Sequence, residues 1–342
     1  MTTFAITVLN PKGKDPEQVF PDYAGIPNPK IHAPVNFHAY AACTGGSFHS
    51  NVKKVIELNK PVLMLVRNNF KLCLKTLRTL KNVGITVAVS LKETGSHQVA
   101  NQLKDGSKLS LLKEIVNESD GVISPTQAMV PIYQSLKTDN PQTVRFIPTP
   151  YPVESNAWDF SVPIDERNGI FLGTRELKTY SRNHLASLIL VSSLVKKTGC
   201  RLTLINKDGR LTSQFIAALG IPSELVNVIS PMPYPDYLRM LANHRIVFQL
   251  DQSMVPGQVA GDCCLCRVVC VGGNGSVESL VYPDFSNFSQ NREELLVIAE
   301  KLLTNDSFYS DVTTQSEERA GEFVSFSEGA KNLKYFFDEL GK

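Results

Sequence analysis

Most of the signatures that place a protein quickly are missing from these 342 residues. There is one tryptophan, and the charges nearly cancel: 35 Lys and Arg against 33 Asp and Glu, a formal +2. No basic stripe stands in for the absent net charge, so there is no nucleic-acid signature. No apolar run reaches the length needed to span a bilayer. The opening MTTFAITVLNPKG lacks a charged stretch followed by a long apolar core. The expectation is a cytoplasmic protein, and a weak association with a membrane surface is compatible with it. Seven cysteines are present, yet they do not form two separated C-x2–4-C pairs with a nearby histidine. Cys43, Cys73 and Cys200 are scattered, while Cys263, Cys264, Cys266 and Cys270 cluster. They read as small core residues in a reducing compartment, with metal binding the remote alternative.

What remains is the composition of an ordinary globular protein, 42% hydrophobic and 20% charged. The length is generous for one core and suits two domains. Short β-rich runs alternate with helical patterns throughout. Strands are expected at Phe4–Leu9, Asn36–Cys43, Pro61–Val66, Ile85–Ser90, Gly121–Ser124 and Thr143–Ile147. Between them lie helices at Val52–Leu58, Phe70–Asn82 (apolar at Leu72, Leu74, Leu77 and Leu80) and Leu109–Asn117. Residues 14–35 and 91–107 read as irregular loops, the second carrying part of a helix. Gly45 and Gly46 would sit in a strand-to-helix loop where the backbone can approach a ligand.

A cluster of prolines at 148–163 marks a boundary. Beyond it, strands are expected at 170–172, Leu202–Ile205, Val226–Ser230, Ile246–Leu250 and Val268–Val271. Helices fill the gaps at Leu185–Lys197, Thr212–Leu219, Tyr237–Asn243 and Asn291–Leu303, with a strand-turn at Val281–Asp284. This rhythm gives an α/β chain with two doubly wound parallel sheets. Its domains are 1–150, a linker at 151–168, a second domain at 169–322, and a last helix at 323–342.

The stretch from Ile246 to Phe285 is the most informative. It reads as strand, Gly-containing loop, helix, strand and a Gly272-Gly273-Asn274-Gly275 turn. Such a unit presents helix N–H groups to an anion, although an ordinary crossover has the same pattern. Gly257 and Asp262 followed by Cys263, with Gly272-Gly273 leading to Glu278, resemble the donor-site segment of retaining GT-B glycosyltransferases of the glycogen-synthase-like group. In that segment E-G-F-G-x-x-x-x-E-A is followed by G-x-P-V-V and a G-G-x-x-E turn. Here Met254 stands at the first glutamate, Asp262 at the second, and Arg267 and Val269 at the Gly and Pro. Ile123-Ser124-Pro125, Phe146-Ile147-Pro148 and the tail from Phe323 to Leu340 are similar to further segments of the family.

The resemblance implies two Rossmann-like domains facing across a cleft and a metal-independent transferase of the hexosyltransferase type, with no cofactor. A nucleotide-sugar would be the donor, and a saccharide, lipid-linked or other hydroxyl compound the acceptor. Arg175, Lys178 and Asp262 would act at the reaction centre. Arg175 and Lys178 would grip the pyrophosphate, and Asp262 would accept from the ribose. Gly173, Thr174, Arg182, Asn206, Met232, Pro233, Gly257 and Gln258 would line the donor site. Gly45, Gly46 and His97 would face the acceptor or cleft. Met254 cannot hydrogen-bond a sugar hydroxyl, so Asp251 or Gln252 would have to substitute. Two other readings stay open: a catalytically inactive nucleotide- or sugar-binding subunit of the same fold, and a different two-domain α/β protein.

Overall fold

A computed structural model of the chain describes residues 4–172, 180–205, 209–287 and 289–341. The chain divides into two compact units. One consists of Met1–Ala157, Met254–Pro256 and Phe323–Lys342, the other of Trp158–Ser253 and Gly257–Glu322.

In the first unit the order is β1 (Thr7–Leu9), β2 (Gln18–Val19), α1 (Phe37–Ala42), β3 (Ser47–His49), α2 (Val52–Leu58), β4 (Val62–Val66), α3 (Phe70–Asn82) and β5 (Val87–Leu91). Then follow α4 (Ser96–Leu103), α5 (Gly106–Glu118), β6 (Gly121–Ser124), α6 (Val130–Leu136) and β7 (Val144–Phe146). The strands form one sheet in the order β2-β3-β1-β4-β5-β6-β7, parallel except for the short edge strand β2.

The second unit has β8 (Ile170–Leu172), α7 (His184–Thr198), β9 (Leu202–Ile205), α8 (Gly209–Ala218), β10 (Val226–Ile229) and α9 (Tyr234–Ala242). It continues with β11 (Ile246–Gln249), α10 (Gln258–Cys266), β12 (Val269–Gly272), α11 (Ser276–Val281) and α12 (Arg292–Thr304). All five strands are parallel, in the order β10-β9-β8-β11-β12. The start of α12 is written in its sequence. The Asn291 side chain accepts from Glu294 N–H, and Glu294 returns a carboxylate to Asn291 N–H. α13 (Asp306–Val324) then brings the chain to α14 (Phe326–Leu340), whose cap Ser325 accepts from Glu328 N–H.

Strands buried on both faces need helices on both faces, and β4 shows how this is met. Val62, Met64 and Val66 enter one cluster with Leu74, Leu77 and Leu80 of α3 and Ile115 of α5. Leu63 and Leu65 enter another, with Tyr40 and Ala41 of α1 and Leu333, Phe336 and Phe337 of α14. The two-residue strand period thus sorts one strand between two cores.

The structure corrects four expectations. Asn36–Cys43 is mostly the helix α1, not a strand. All six residues of α1 are buried, so it carries no polar stripe to reveal a 3.6-residue period. Ser47–His49, expected in a loop, is strand β3. Ser96–Leu103, within the expected loop 91–107, is the full helix α4. Val281–Asp284 has no strand; α11 ends at Val281 and a single 3-10 turn follows at Pro283–Phe285.

Candidate functional site

In a doubly wound sheet, ligands bind outside the carboxyl ends of the strands where the strand order reverses. The second sheet reverses between β8 and β11, because β8 continues to β9 on one side while β11 and β12 lie on the other. The segment before α7 and the segment after β11 meet at that point. Asn183 donates its side-chain amide to the Leu250 carbonyl at 2.9 Å, and Gln252 N–H donates to the Ser181 carbonyl at 3.0 Å. The Arg182 guanidinium donates to Asp251. The other Asp251 oxygen accepts from Ser253 N–H at 2.7 Å and from the Ser253 hydroxyl. The Asp251 side chain is 3% exposed and that of Arg182 34%. The carboxylate therefore fixes one edge of a guanidinium that is still partly open to solvent.

The amino end of α10 lies on the same side of the sheet. Its cap is Gly257, with φ 93° and no side-chain capping bond. Two constraints require glycine here: the positive φ, and the Glu278 Oε2 atom, which would lie 2.2 Å from an added Cβ. Glu278, in the first turn of α11, is buried. Its Oε1 accepts from the Gln249 side-chain amide at 2.8 Å, and that amide also meets Cys270 Sγ at 3.4 Å. Oε2 has no hydrogen-bond partner. Burial pushes the Glu278 carboxyl up to about 7, and Asp251 adds to the rise; its own backbone N–H, Gln249 and Arg182 hold it back.

Arg182, Gly257 and Gln258 thus fall on this edge. Gln258 is the first residue of α10 and is half-buried. Asp262 lies in the middle of α10, almost wholly buried, and accepts from the Tyr234 hydroxyl. Met232 is half-buried and Pro233 exposed at the carboxyl end of the edge strand β10, two strands from β8. Gly173, Thr174, Arg175, Lys178 and Asn206 lie outside the described residues. Met254 is exposed with φ 49°. Asp251, one of the two substitutes considered for the missing glutamate, has both oxygens committed to Arg182 and Ser253, which leaves the exposed Gln252. The sequence reading gave Glu278 a place in a motif but no role, and it missed Gln249. The one available signal was an acidic residue inside an apolar stretch.

In the first unit, Gly45 and Gly46 are not in a strand-to-helix loop. They lead from α1 into β3 and therefore sit at the amino edge of the sheet, away from the carboxyl edge where ligands bind. Gly46 N–H donates to the Ala41 carbonyl at 2.8 Å, and Gly46 leaves no room for a side chain beside the Ile6 carbonyl. His97 is exposed in the first turn of α4, just past the carboxyl end of β5. On that edge Lys92 pairs with Asp15, which also accepts from Asn10, and Arg67 pairs with Glu93 at 2.6 Å. Burial acts to raise the Asp15 carboxyl, but the Lys92 and Asn10 contacts outweigh it, so the carboxyl sits below its ordinary range.

All seven cysteines are unpaired. Among the described residues, no group of three His, Cys, Asp or Glu is placed to hold a metal ion, and no helix is long and apolar enough to cross a membrane.

No sequence-family model matches the chain, and no curated protein matches it. Solved structures do. HepE from Anabaena in complex with UDP superposes with a TM-score of 0.66 at 14% identity, over 98% of this chain and 100% of that one. The same protein with UDP-glucose gives 0.61 at 14% identity, over 84% and 82% of the two chains. A trehalose-6-phosphate structure from E. coli bound with UDP-2-fluoro glucose gives 0.59 at 11% identity, over 84% and 75%. Identities this low establish architecture alone, and the architecture they establish for this chain is the GT-B fold.

Proposed function

We propose that the chain transfers a hexosyl group from a nucleotide-sugar donor to a hydroxyl acceptor, with retention at the anomeric carbon and without a metal ion. The observation that carries this reading is the placement of Arg182 and the amino end of α10 together at the switch point of the second sheet. The chemistry asked of such a site is modest. As the sugar leaves, negative charge grows on the nucleoside diphosphate, and cations and helix N–H groups must already stand where it appears. Arg175 and Lys178 would supply the main cations, Gly257 and Gln258 would lie against phosphate and sugar, and Asp262 would meet the ribose. The UDP and UDP-glucose bound by HepE support this donor class.

Calorimetric titration with UDP, GDP and ADP, followed by a turnover assay with their glucose conjugates, tests the reading. One diphosphate should bind, and its sugar conjugate should be consumed. Arg175→Ala combined with Lys178→Ala removes two charge-assisted contacts of about 1.5–3 kcal/mol each, so affinity should fall at least roughly 100-fold. Unchanged affinity in that variant would show that other groups hold the phosphates. Binding without turnover would favour the inactive-subunit reading, to which Met254 already points. Silence toward all three diphosphates would end the donor reading.

A further inference from the structure

We propose that Glu278 takes up a proton when a nucleoside diphosphate settles on the amino end of α10, which makes it a donor-binding residue of this site. The inference rests on the donor reading above and goes beyond it, because neither the family pattern nor the fold gives this carboxyl a role.

Three observations carry it. First, the cap of α10 is Gly257, which has no side chain to accept from the first turn, and the amino end of a helix favours an anion. Second, Glu278 is directed at that cap. Its Oε2 stands where a Gly257 side chain would begin, is almost wholly buried, and has no hydrogen-bond partner. Third, the groups facing Glu278 compensate its charge less than burial penalises it: its own backbone N–H, Gln249 and Arg182 favour the carboxylate, and burial together with Asp251 outweighs them. Gln249 on β11 gives one hydrogen bond to Oε1. Arg182, ahead of α7, is already paired with Asp251, and Asp251 itself opposes a second negative charge. Cys264 on α10 is held neutral by burial, which pushes its thiol up to about 12. Cys270 on β12 shares the Gln249 amide.

An ionised Glu278 and a bound diphosphate would place two negative charges at one helix end, where only one is favoured. The free carboxyl changes charge near neutrality. Binding therefore draws a proton from the buffer onto Glu278: carboxylate, diphosphate and H⁺ combine into a complex that holds the neutral acid. Tight binding on the acid side of neutrality and weaker binding on the alkaline side follow from linkage.

The experiment is calorimetry of the intact protein with UDP, GDP and ADP at pH 7.5, in HEPES and in Tris, whose ionisation enthalpies differ. For whichever diphosphate binds, the difference in observed heat counts the protons exchanged. Wild type should take up about half a proton or more beyond Glu278→Gln. Above pH 7.5 its affinity should fall toward the limit of roughly ten-fold per pH unit relative to the variant. Equal proton counts in the two proteins would overturn the proposal while leaving the donor reading intact. If Glu278→Gln does not fold, wild type decides alone, and an affinity constant between pH 7 and 9 overturns the proposal. Absence of binding by all three diphosphates at every pH removes the donor reading and this proposal with it.

Discussion

Gly272→Ala should unfold the second unit at far lower denaturant than wild type, with a loss of about 3–5 kcal/mol. Gly272 ends β12 with φ 84°, in register with Gln249 of β11. A Cβ there would lie 1.8 Å from the Gln249 carbonyl oxygen, a backbone atom of β11, which is paired on both sides and cannot swing aside. Two costs add: left-handed strain of about 1–2 kcal/mol for a residue with a Cβ, and the overpacking that parts β11 from β12. Gly199→Ala separates them. Gly199 has φ 68° and nothing within 4 Å of an added Cβ, so only the strain remains, about 1 kcal/mol. The single tryptophan, Trp158, is buried in the second unit and reports its unfolding by fluorescence. Urea midpoints of the two variants that shift equally would mean the sheet yields where the geometry says it is rigid.

Stability should also depend on pH through Glu278, and the sign can be worked out. Its carboxyl rises from an ordinary 4.5 in the unfolded chain to about 7 in the folded one. A raised value means that the folded state holds the proton more tightly. The contribution to stability is fully present below about 4.5 and is lost as pH rises through 7. The span amounts to about 3 kcal/mol for a buried group shifted this far. Glu278→Gln removes the titration, so the stability of the variant relative to wild type should climb between pH 5 and pH 8. The relative measure matters because other groups titrate as well. Burial of His38, in the first unit, lowers its ring to about 4, which acts in the opposite direction, with stability lost as pH falls. Following Trp158 confines the readout to the second unit. Parallel pH profiles for variant and wild type would show that Glu278 keeps its charge at neutral pH.

The regular elements were legible because their residues repeat a pattern that burial enforces. α3 spans Phe70–Asn82, the limits its leucines indicate, and β9 occupies Leu202–Ile205, the apolar run expected as a strand. Legibility failed where a helix was enclosed on every side, so that it showed no polar stripe, or where the element was very short. α1 is enclosed on every side and β3 has three residues. That error moved Gly45 and Gly46 to the wrong edge of the sheet. At the site, the glycines of the β11–α10–β12 unit could be read because their backbone demands are local. The pairing of Arg182 with Asp251 joins residues 69 positions apart, and the meeting of Glu278 with Gly257 depends on how α11 follows the Gly272-Gly273 turn. Those contacts are products of the assembled sheet, and no local pattern encodes them.

The first unit is discontinuous in sequence, and this bears on how the protein is made. One face of its sheet is covered by Phe326, Leu333, Phe336 and Phe337, which arrive only with α14. On a ribosome the residues up to Ala157 emerge first, yet the face that α14 must cover stays open while the whole second unit is synthesised, a delay of roughly ten to thirty seconds. A nascent chain of this design carries an apolar surface until α14 is made, and demand for a chaperone should be greatest before α14 leaves the tunnel.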